Sequence, residues 1–291
     1  MSEFYIIKST GEKEIFDYGK LENSLRRSGT SEELISEIVQ EISNTGHDGM
    51  TTKEIYQKAF SMLKKSHTPA AVRFSLKKAV AELGPTGFPF EKFVAEIFKA
   101  RGYEAITGQI VKGKCVEHEV DVVAWKDDEL IMAEAKFHTD FNLKSDLKIA
   151  LYVKERFDDI LGVKHNYGGK TRTLTEGWLV TNTKFSITAA EYGMCQSAFK
   201  LVGWNYPYDE NLHYYIEKYN LIPVTALTSI NKEEKKILIE AGHVLSKDLL
   251  DRKTFDDLNF DEEKINHIQN EVKNIIDHSK RFYEKVYGKH R

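Results

Sequence analysis

HEVDVVAWKDDELIMAEAKFH, residues 118–138, decides how this chain is read. Two apolar β runs, HEVDVVAW and LIMAEAKF, flank the polar turn KDDE. With the turn centred near Asp127 and Asp128, residues whose numbers sum to about 255 face each other, which sets Asp121 opposite Glu134. Side chains alternate along a strand, so Glu134 and Lys136 project on the Asp121 side. The opposite face is expected to carry Val120, Val122, Ala124, Ile131, Ala133, Ala135 and Phe137. Two carboxylates and an amine therefore converge among apolar neighbours, where a carboxylate is costly unless paired or bound to a cation.

Working outward, FEKFVAEIFKARGY (90–103) reads as an amphipathic helix with Phe90, Phe93, Val94, Ile97 and Phe98 on one side. After the hairpin come a helix over 143–161, a strand GWLVTN (177–182), a helix FSITAAEYGMCQSAF and a strand KLVGWN (200–205). Strands alternating with helices predict an α/β domain with a mixed sheet. GPTGFPF (84–90), with two prolines and two glycines, marks a boundary before it. The expected division is 1–84, 85–210 and 211–291.

In the first segment, FYIIK (4–8) and EIF (14–16) are short β runs around STGEK. Helical spacing follows through Leu21 and Leu25, then through Leu34, Ile35, Ile38, Val39 and Ile42. Thr51 or Thr52 with Glu54 offers an N-cap for a third helix, and a fourth runs from about Ala70 to Leu83. The last segment is helical. LTSINKEEKKILIEAGHVLSKDLL (227–250) has the look of a helix, Gly242, and a second helix capped by Ser246, suited to phosphate contact or to packing. A long helix over 261–287 with an apolar stripe follows.

The chain has 291 residues and a net charge of −3, from 42 Lys and Arg against 45 Asp and Glu. A strongly basic nucleic-acid binder is excluded, so any such binding rests on local patches. Cys115 and Cys195, the two cysteines, exclude a disulfide scaffold and a cysteine zinc site. No stretch approaches the ~18 apolar residues of a membrane span, and the N-terminus lacks the apolar run of a signal peptide. The expectation is a soluble cytoplasmic protein.

Two carboxylates repel, and a divalent oxygen-seeking cation such as Mg2+ or Mn2+ relieves that repulsion while activating water and polarising a phosphate oxygen. A lysine two residues along orients or deprotonates the water. From spacing alone, a cross-strand ion pair explains the same residues. GGKT (168–171) does not make a phosphate loop, because Lys164 stands where the first glycine belongs.

Residues 85–205 resemble the PD-(D/E)XK restriction-endonuclease fold, in its Mrr-like branch. The carriers are GFPFEKFVAEIFKARGY, EVDVV, AEAKFH and GWLVTN–helix–LVGWN. The resemblance implies that Asp121, Glu134 and Lys136 are catalytic and that Glu91 joins Asp121 and Glu134 in holding metal, with Glu96 a fallback. His138 is read as a surface histidine at the strand end, with phosphate contact the other reading; Tyr152 and Arg156, one turn apart on the following helix, could contact the scissile strand, which is the less favoured reading.

Residues 4–82 resemble the ATP-cone, a regulatory nucleotide-binding domain, through IIKSTGEKEIFDYGKLENSL, TTKEIY and AVRFSLKKAV. That implies an ATP or dATP site lined by Lys8, Glu14, Phe16, Lys20, Leu21 and Thr52, with Arg73 a further phosphate candidate. Ser9 stands where that family usually has arginine.

The combined expectation is a multidomain α/β protein: an ATP-cone, a mixed-sheet nuclease domain and a helical C-terminal region. It is expected to act as a Mg-dependent endodeoxyribonuclease under purine-nucleotide control, as a homo-oligomer with DNA as partner. A defence role follows from the resemblance only. The alternatives are a nucleotide-sensing DNA-binding regulator without cleavage, and an RNA or branched-DNA nuclease.

Overall fold

The computed structural model describes residues 3–256 and 258–287. They form two compact units: 3–76 with 226–231 and 260–287, and 77–225 with 232–256 and 258–259.

In the first unit, β1 (Tyr5–Ile7) pairs antiparallel with β2 (Lys13–Ile15). α1 (Tyr18–Arg27) and α2 (Glu32–Thr45) are capped by the Asp17 and Ser31 side chains. β3 (Met50–Thr51), too short to show in the sequence pattern, runs parallel to β1. α3 (Thr52–Ser66) starts at a capping box that settles the cap on Thr51: Glu54 N donates to Thr51 Oγ1 at 3.1 Å, and Thr51 N to Glu54 Oε2 at 2.7 Å. α4 (Thr68–Ala81) follows, its residues up to Leu76 belonging to this unit. The core joins Phe4, Ile6, Leu25, Ile38, Ile42 and Leu63, all buried.

The second unit is built on a five-stranded sheet. Its leading helix is α5 (Phe88–Ala100), which ends where Gly102 takes φ +88. β4 (Glu104–Lys112), β5 (Glu117–Lys126) and β6 (Glu129–Lys136) form an antiparallel meander. β7 (Lys144–Ser145) precedes α6 (Leu147–Ile160), which Asp146 caps. β8 (Lys164–Tyr167) and β9 (Lys170–Thr173) make a hairpin. Gly168 and Gly169 occupy its two-residue turn with φ +59 and +75, the signs of a type I′ turn.

β10 (Glu176–Thr181) runs parallel to β6, and β11 (Lys184–Phe185) runs parallel to β7. α7 (Ile187–Met194) leads to β12 (Phe199–Val202), which pairs with β10. The sheet order is β12-β10-β6-β5-β4. One face packs on α6 and α7 through Val123, Met132, Val153, Phe157, Leu179 and Ala189. On the other side of the sheet Phe98 of α5 meets Trp178 at 4.9 Å. Fully burying each such side chain contributes roughly 1.5–3 kcal/mol.

α8 (Leu212–Tyr219) and α9 (Lys232–Glu240) complete this unit, while α10 (Glu262–Tyr287) belongs to the first. The described residues from 211 onward are thus shared between the two units. After Gly242 the chain makes a five-residue 3-10 turn, Ser246–Leu250, where the sequence pattern suggested a second helix. Backbone bonds tie that segment to residues 222–224, with Val224 N on Val244 O at 3.0 Å and Ser246 N on Ile222 O at 2.8 Å. Among the described residues no helix is long and apolar enough to cross a membrane.

Candidate active site

β5 and β6 pair from Lys126↔Glu129 to Val122↔Ala133, and continuing that register sets Asp121 opposite Glu134 as the spacing predicts. Regular pairing stops there. The amide of Ala135 donates to Asp121 Oδ2 at 2.7 Å instead of to a strand carbonyl. On the other edge of β5, Thr107↔Val122 and Gln109↔Val120 flank Gly108, whose φ of +63 breaks the strand geometry opposite Asp121. The alternation is interrupted as well. Val120 packs in the same buried cluster as Val123 and Trp125, and His118 bonds Asp159 of α6 at 2.7 Å. Val120 therefore does not share the face of Val122 and Ala124, as strict alternation requires.

Asp121 and Glu134 are partly buried. Burial holds both carboxyls above their ordinary range; for Glu134 the next cause is the charge of Asp121, and for Asp121 the Ala135 amide opposes the shift. Glu91, in the first turn of α5, is pushed up to about 7 by burial and then by the charges of Asp121, Glu119 and Glu134. Burial is the largest cause for all three acids, and the charges of Asp121 and Glu134 both act on Glu91.

Arg156 supplies part of the compensation. Its Nη1 donates to Glu134 Oε2 at 2.7 Å, and its Nη2 donates to the Glu119 carbonyl. The sequence singled out Arg156 as a substrate contact; the structure pairs it with Glu134. The guanidinium also lies over Tyr152, 5.6 Å from the ring centroid, and Tyr152 is exposed. Lys136 ends β6, exposed, and its charge acts on both Asp121 and Glu134.

His138 is half-buried and structural, which corrects the surface reading. Its amide donates to Asn182 Oδ1 at 2.8 Å, Asn182 Nδ2 donates to its carbonyl at 2.7 Å, and its ring meets buried Ser145 Oγ at 3.3 Å. Burial pushes its imidazole down, with Lys136 adding to the effect. Glu96 is engaged with Lys99 at 2.8 Å and Lys247 at 3.7 Å.

A further group of lysines was not signalled by the sequence. Beyond the ends of β6 and β10, Lys144 and Lys184 are direct partners in the β7–β11 pair, both exposed. Lys77 lies over Phe141 at 5.4 Å, and its amine is held low by burial and by the Lys184 charge. Among the described residues Lys77, Lys136, Lys144 and Lys184 form no ion pair with a carboxylate. They come from separate segments of the chain, so no local run of basic residues marks them.

In the first unit, Lys8 pairs with Glu14 at 2.6 Å and Glu12 at 3.2 Å, and Lys20 with Asp17 at 3.6 Å. Phe16 stacks on Phe4 at 5.2 Å and meets Tyr18 at 4.7 Å. Leu21 is buried in the same core, and Thr52 is exposed at the first residue of α3. Arg73 is buried in α4, close enough to His278 of α10 to lower its pKa.

Comparison with known proteins resolves the family. A solved structure, "Crystal Structure of Protein of Unknown Function AF1548", matches at TM-score 0.53 and 34% identity, covering 66% of this chain and all of that one. The chain belongs to the AF1548-like family. Residues 222–276 match the AF1548-like C-terminal family, 4–77 the ATP cone domain and 85–203 the restriction endonuclease family. An uncharacterized protein of Archaeoglobus fulgidus is 40% identical over 157 residues, 54% of this chain and 83% of the relative. The transcriptional repressor NrdR of Roseobacter denitrificans is 31% identical over 105 residues, 33% of this chain and 66% of the repressor. The chain thus joins an ATP-cone, a nucleotide-binding module, to a restriction-endonuclease-like domain.

Proposed function

We propose that the second unit is a divalent-cation-dependent endodeoxyribonuclease whose activity is set by ATP or dATP on the ATP-cone. The observation that carries this reading is the convergence of Asp121 and Glu134, both held above the ordinary carboxylate range, beside exposed Lys136.

The residues fit a cation such as Mg2+ or Mn2+. Asp121 Oδ2 is committed to the Ala135 amide and Glu134 Oε2 to Arg156, which leaves Oδ1 and Oε1 unshared among the described hydrogen bonds. Asp121, Glu134 and Glu91 would hold the ion, Glu91 by closing on the other two, since no three acids among the described residues stand close enough to hold one. Once bound, it supplies Lewis-acid activation of water and of a phosphate oxygen. Lys136 contributes a positive amine at the strand end, placed to orient the attacking water or to offset charge on the phosphate. Arg156 fixes the Glu134 carboxylate, and the Ala135 amide fixes Asp121. Lys77, Lys144 and Lys184 offer cations to a phosphodiester backbone in a chain with no overall basicity. Cutting both strands with one site per chain calls for two chains, so the active form is a homo-oligomer.

A second reading, a nucleotide-sensing DNA-binding regulator without cleavage, draws support from the likeness to the NrdR repressor over 105 residues. Supercoiled DNA incubated with Mg2+ separates the two, with and without ATP or dATP. Wild-type protein is expected to nick and linearise it, and Lys136→Ala to lose about 100-fold or more of that rate. Wild type and variant equally inactive under every nucleotide condition would sink the nuclease reading.

A further inference from the structure

In the second unit, α6 buries one face and turns a partly apolar one to solvent. Ala150, Val153, Phe157 and Ile160 pack into the core beside the sheet. The opposite face, at i, i+3, i+4 and i+7, carries Lys148, Leu151, Tyr152 and Glu155, all exposed. The outer face of an amphipathic helix is ordinarily polar throughout. Here its middle is a leucine 41% exposed and a tyrosine 65% exposed.

The two charges flanking that apolar pair find no answer within their own helix. Lys148 stands in the first turn of α6, at the positive end of the helix dipole, and that turn holds no acidic residue. Asp146, the N-cap, is engaged with the Ile149 amide at 3.1 Å. Three and four residues beyond Lys148, where an ion-pair partner would sit, come Leu151 and Tyr152. Glu155 has the same two residues behind it, and Asp158 and Asp159 ahead. Lys148 and Glu155 are about 10 Å apart along the axis, at 1.5 Å per residue, too far to bridge one another. Among the described residues neither forms an ion pair.

Reversed, the stripe is its own complement. A twofold axis midway between Leu151 and Tyr152 sets Lys148 opposite Glu155 of the partner subunit, and Glu155 opposite the partner's Lys148. Leu151 then meets the partner's Tyr152, and Tyr152 the partner's Leu151. Two ion pairs close over an apolar centre, and each lysine gains the acid its own helix lacks. A parallel pairing would instead set like charges together. The stripe also borders the candidate active site, because Arg156, whose guanidinium lies 5.6 Å from the Tyr152 ring centroid, holds Glu134.

We infer that the outer face of α6 is a self-association surface, on which a second copy of this chain docks antiparallel through Lys148, Leu151, Tyr152 and Glu155. This gives the homo-oligomer proposed above a defined surface, and rests on the nuclease reading only for its use in cutting two strands. One helix face is smaller than the roughly 800 Å2 per partner of a standard interface, so the dimer is expected to be reversible and to weaken as salt rises.

The test uses the full chain in chelator, without DNA, in sedimentation runs over a concentration series. A reversible dimer is expected. Lys148→Glu and Glu155→Lys should each weaken it about tenfold or more, since each sets like charges face to face. The double variant restores opposite charges and should return to within about threefold of wild type. Circular dichroism should be unchanged, because both positions are exposed and a carboxylate in the first turn suits the helix dipole. A wild-type chain that stays monomeric up to about 0.1 mM overturns the inference. So does a dimer that both single variants form as tightly as wild type, or a double variant no better than the single ones. A monomeric wild type whose duplex binding is weakened by Lys148→Glu would make the stripe a nucleic-acid face, and would also overturn it. A dimer with the expected responses that cuts no DNA supports the inference and counts against the nuclease reading alone.

Discussion

Arg156 grips Glu134 at 2.7 Å and, with its other terminal nitrogen, the backbone carbonyl of Glu119. One side chain of α6 thereby ties β5 to β6 at the point where their backbone pairing has ended. The Arg156 and Glu134 side chains are 14% and 22% exposed, so the pair is shielded enough to matter.

Arg156→Ala is therefore predicted to lower the unfolding free energy of the metal-free protein by about 2 kcal/mol, since it strands a partly buried carboxylate. The same change leaves the repulsion between Asp121 and Glu134 less compensated, so Mg2+ affinity should rise. Urea unfolding in chelator and calorimetric Mg2+ titration measure the two effects. A fall in Mg2+ affinity would mean that orienting Glu134 outweighs neutralising it.

Glu91 gives the metal-free fold a pH dependence of defined sign. Its carboxyl rises from the ordinary 4.5 to about 7 on folding, because burial and the neighbouring acids disfavour the charged form. Its contribution is complete below the unfolded value and is lost as pH rises through about 7. In chelator at pH 8, Glu91→Gln should raise the unfolding free energy by on the order of 1 kcal/mol, discounted for partial exposure, and have little effect at pH 4. A stability difference that stays constant between those pH values would contradict the assignment.

Lys144 and Lys184 face each other across the β7–β11 pair without a carboxylate partner among the described residues. Either charge reversal, Lys144→Glu or Lys184→Glu, should weaken duplex binding uniformly across sequences. Each should reduce the salt slope of binding by about one. Fluorescence anisotropy over a salt series reads this directly, and unchanged slopes would remove the two lysines from the DNA path.

Gly177 of β10 leaves room for α6: a Cβ there would sit 2.3 Å from Phe157 Cδ2. Gly177→Ala should cost about 1–3 kcal/mol through forced repacking, seen as a lower denaturation midpoint with an unchanged slope. A variant as stable as wild type would show that Phe157 has space to move aside.

The hairpin and its register were legible in the sequence because an apolar pattern with one polar turn admits a single pairing. The interruption at Asp121 was not legible. It depends on Gly108 in β4, an edge strand whose residues, EAITGQIVK, carry neither strict alternation nor a turn mark. The type I′ turn at Gly168 and Gly169 was hidden because its flanks, KHNY and KTRT, are polar. Tyr167 stacks on Trp125 at 5.4 Å, a contact that only the fold discloses. Arg156 was visible one turn along the helix from Tyr152, yet nothing local connects it to Glu134, 22 residues earlier. The stretch after Gly242 repeats helical spacing, but bonds to residues 222–224 draw it into a 3-10 turn. Tertiary pairing overrides local propensity there.

The tight turn at Asp127 and Asp128, with Asp127 at φ 48, has a consequence beyond its own geometry. Strand faces repeat every two residues, so one residue added or removed there would rotate Glu134 and Lys136 to the far side of the sheet while leaving every side chain of the site present. Length, as distinct from identity, is thus a heritable component of the site. The number of residues in the turn counts beside their identity, and a single-codon insertion that shifted the register would disarm the hairpin as fully as replacing its lysine.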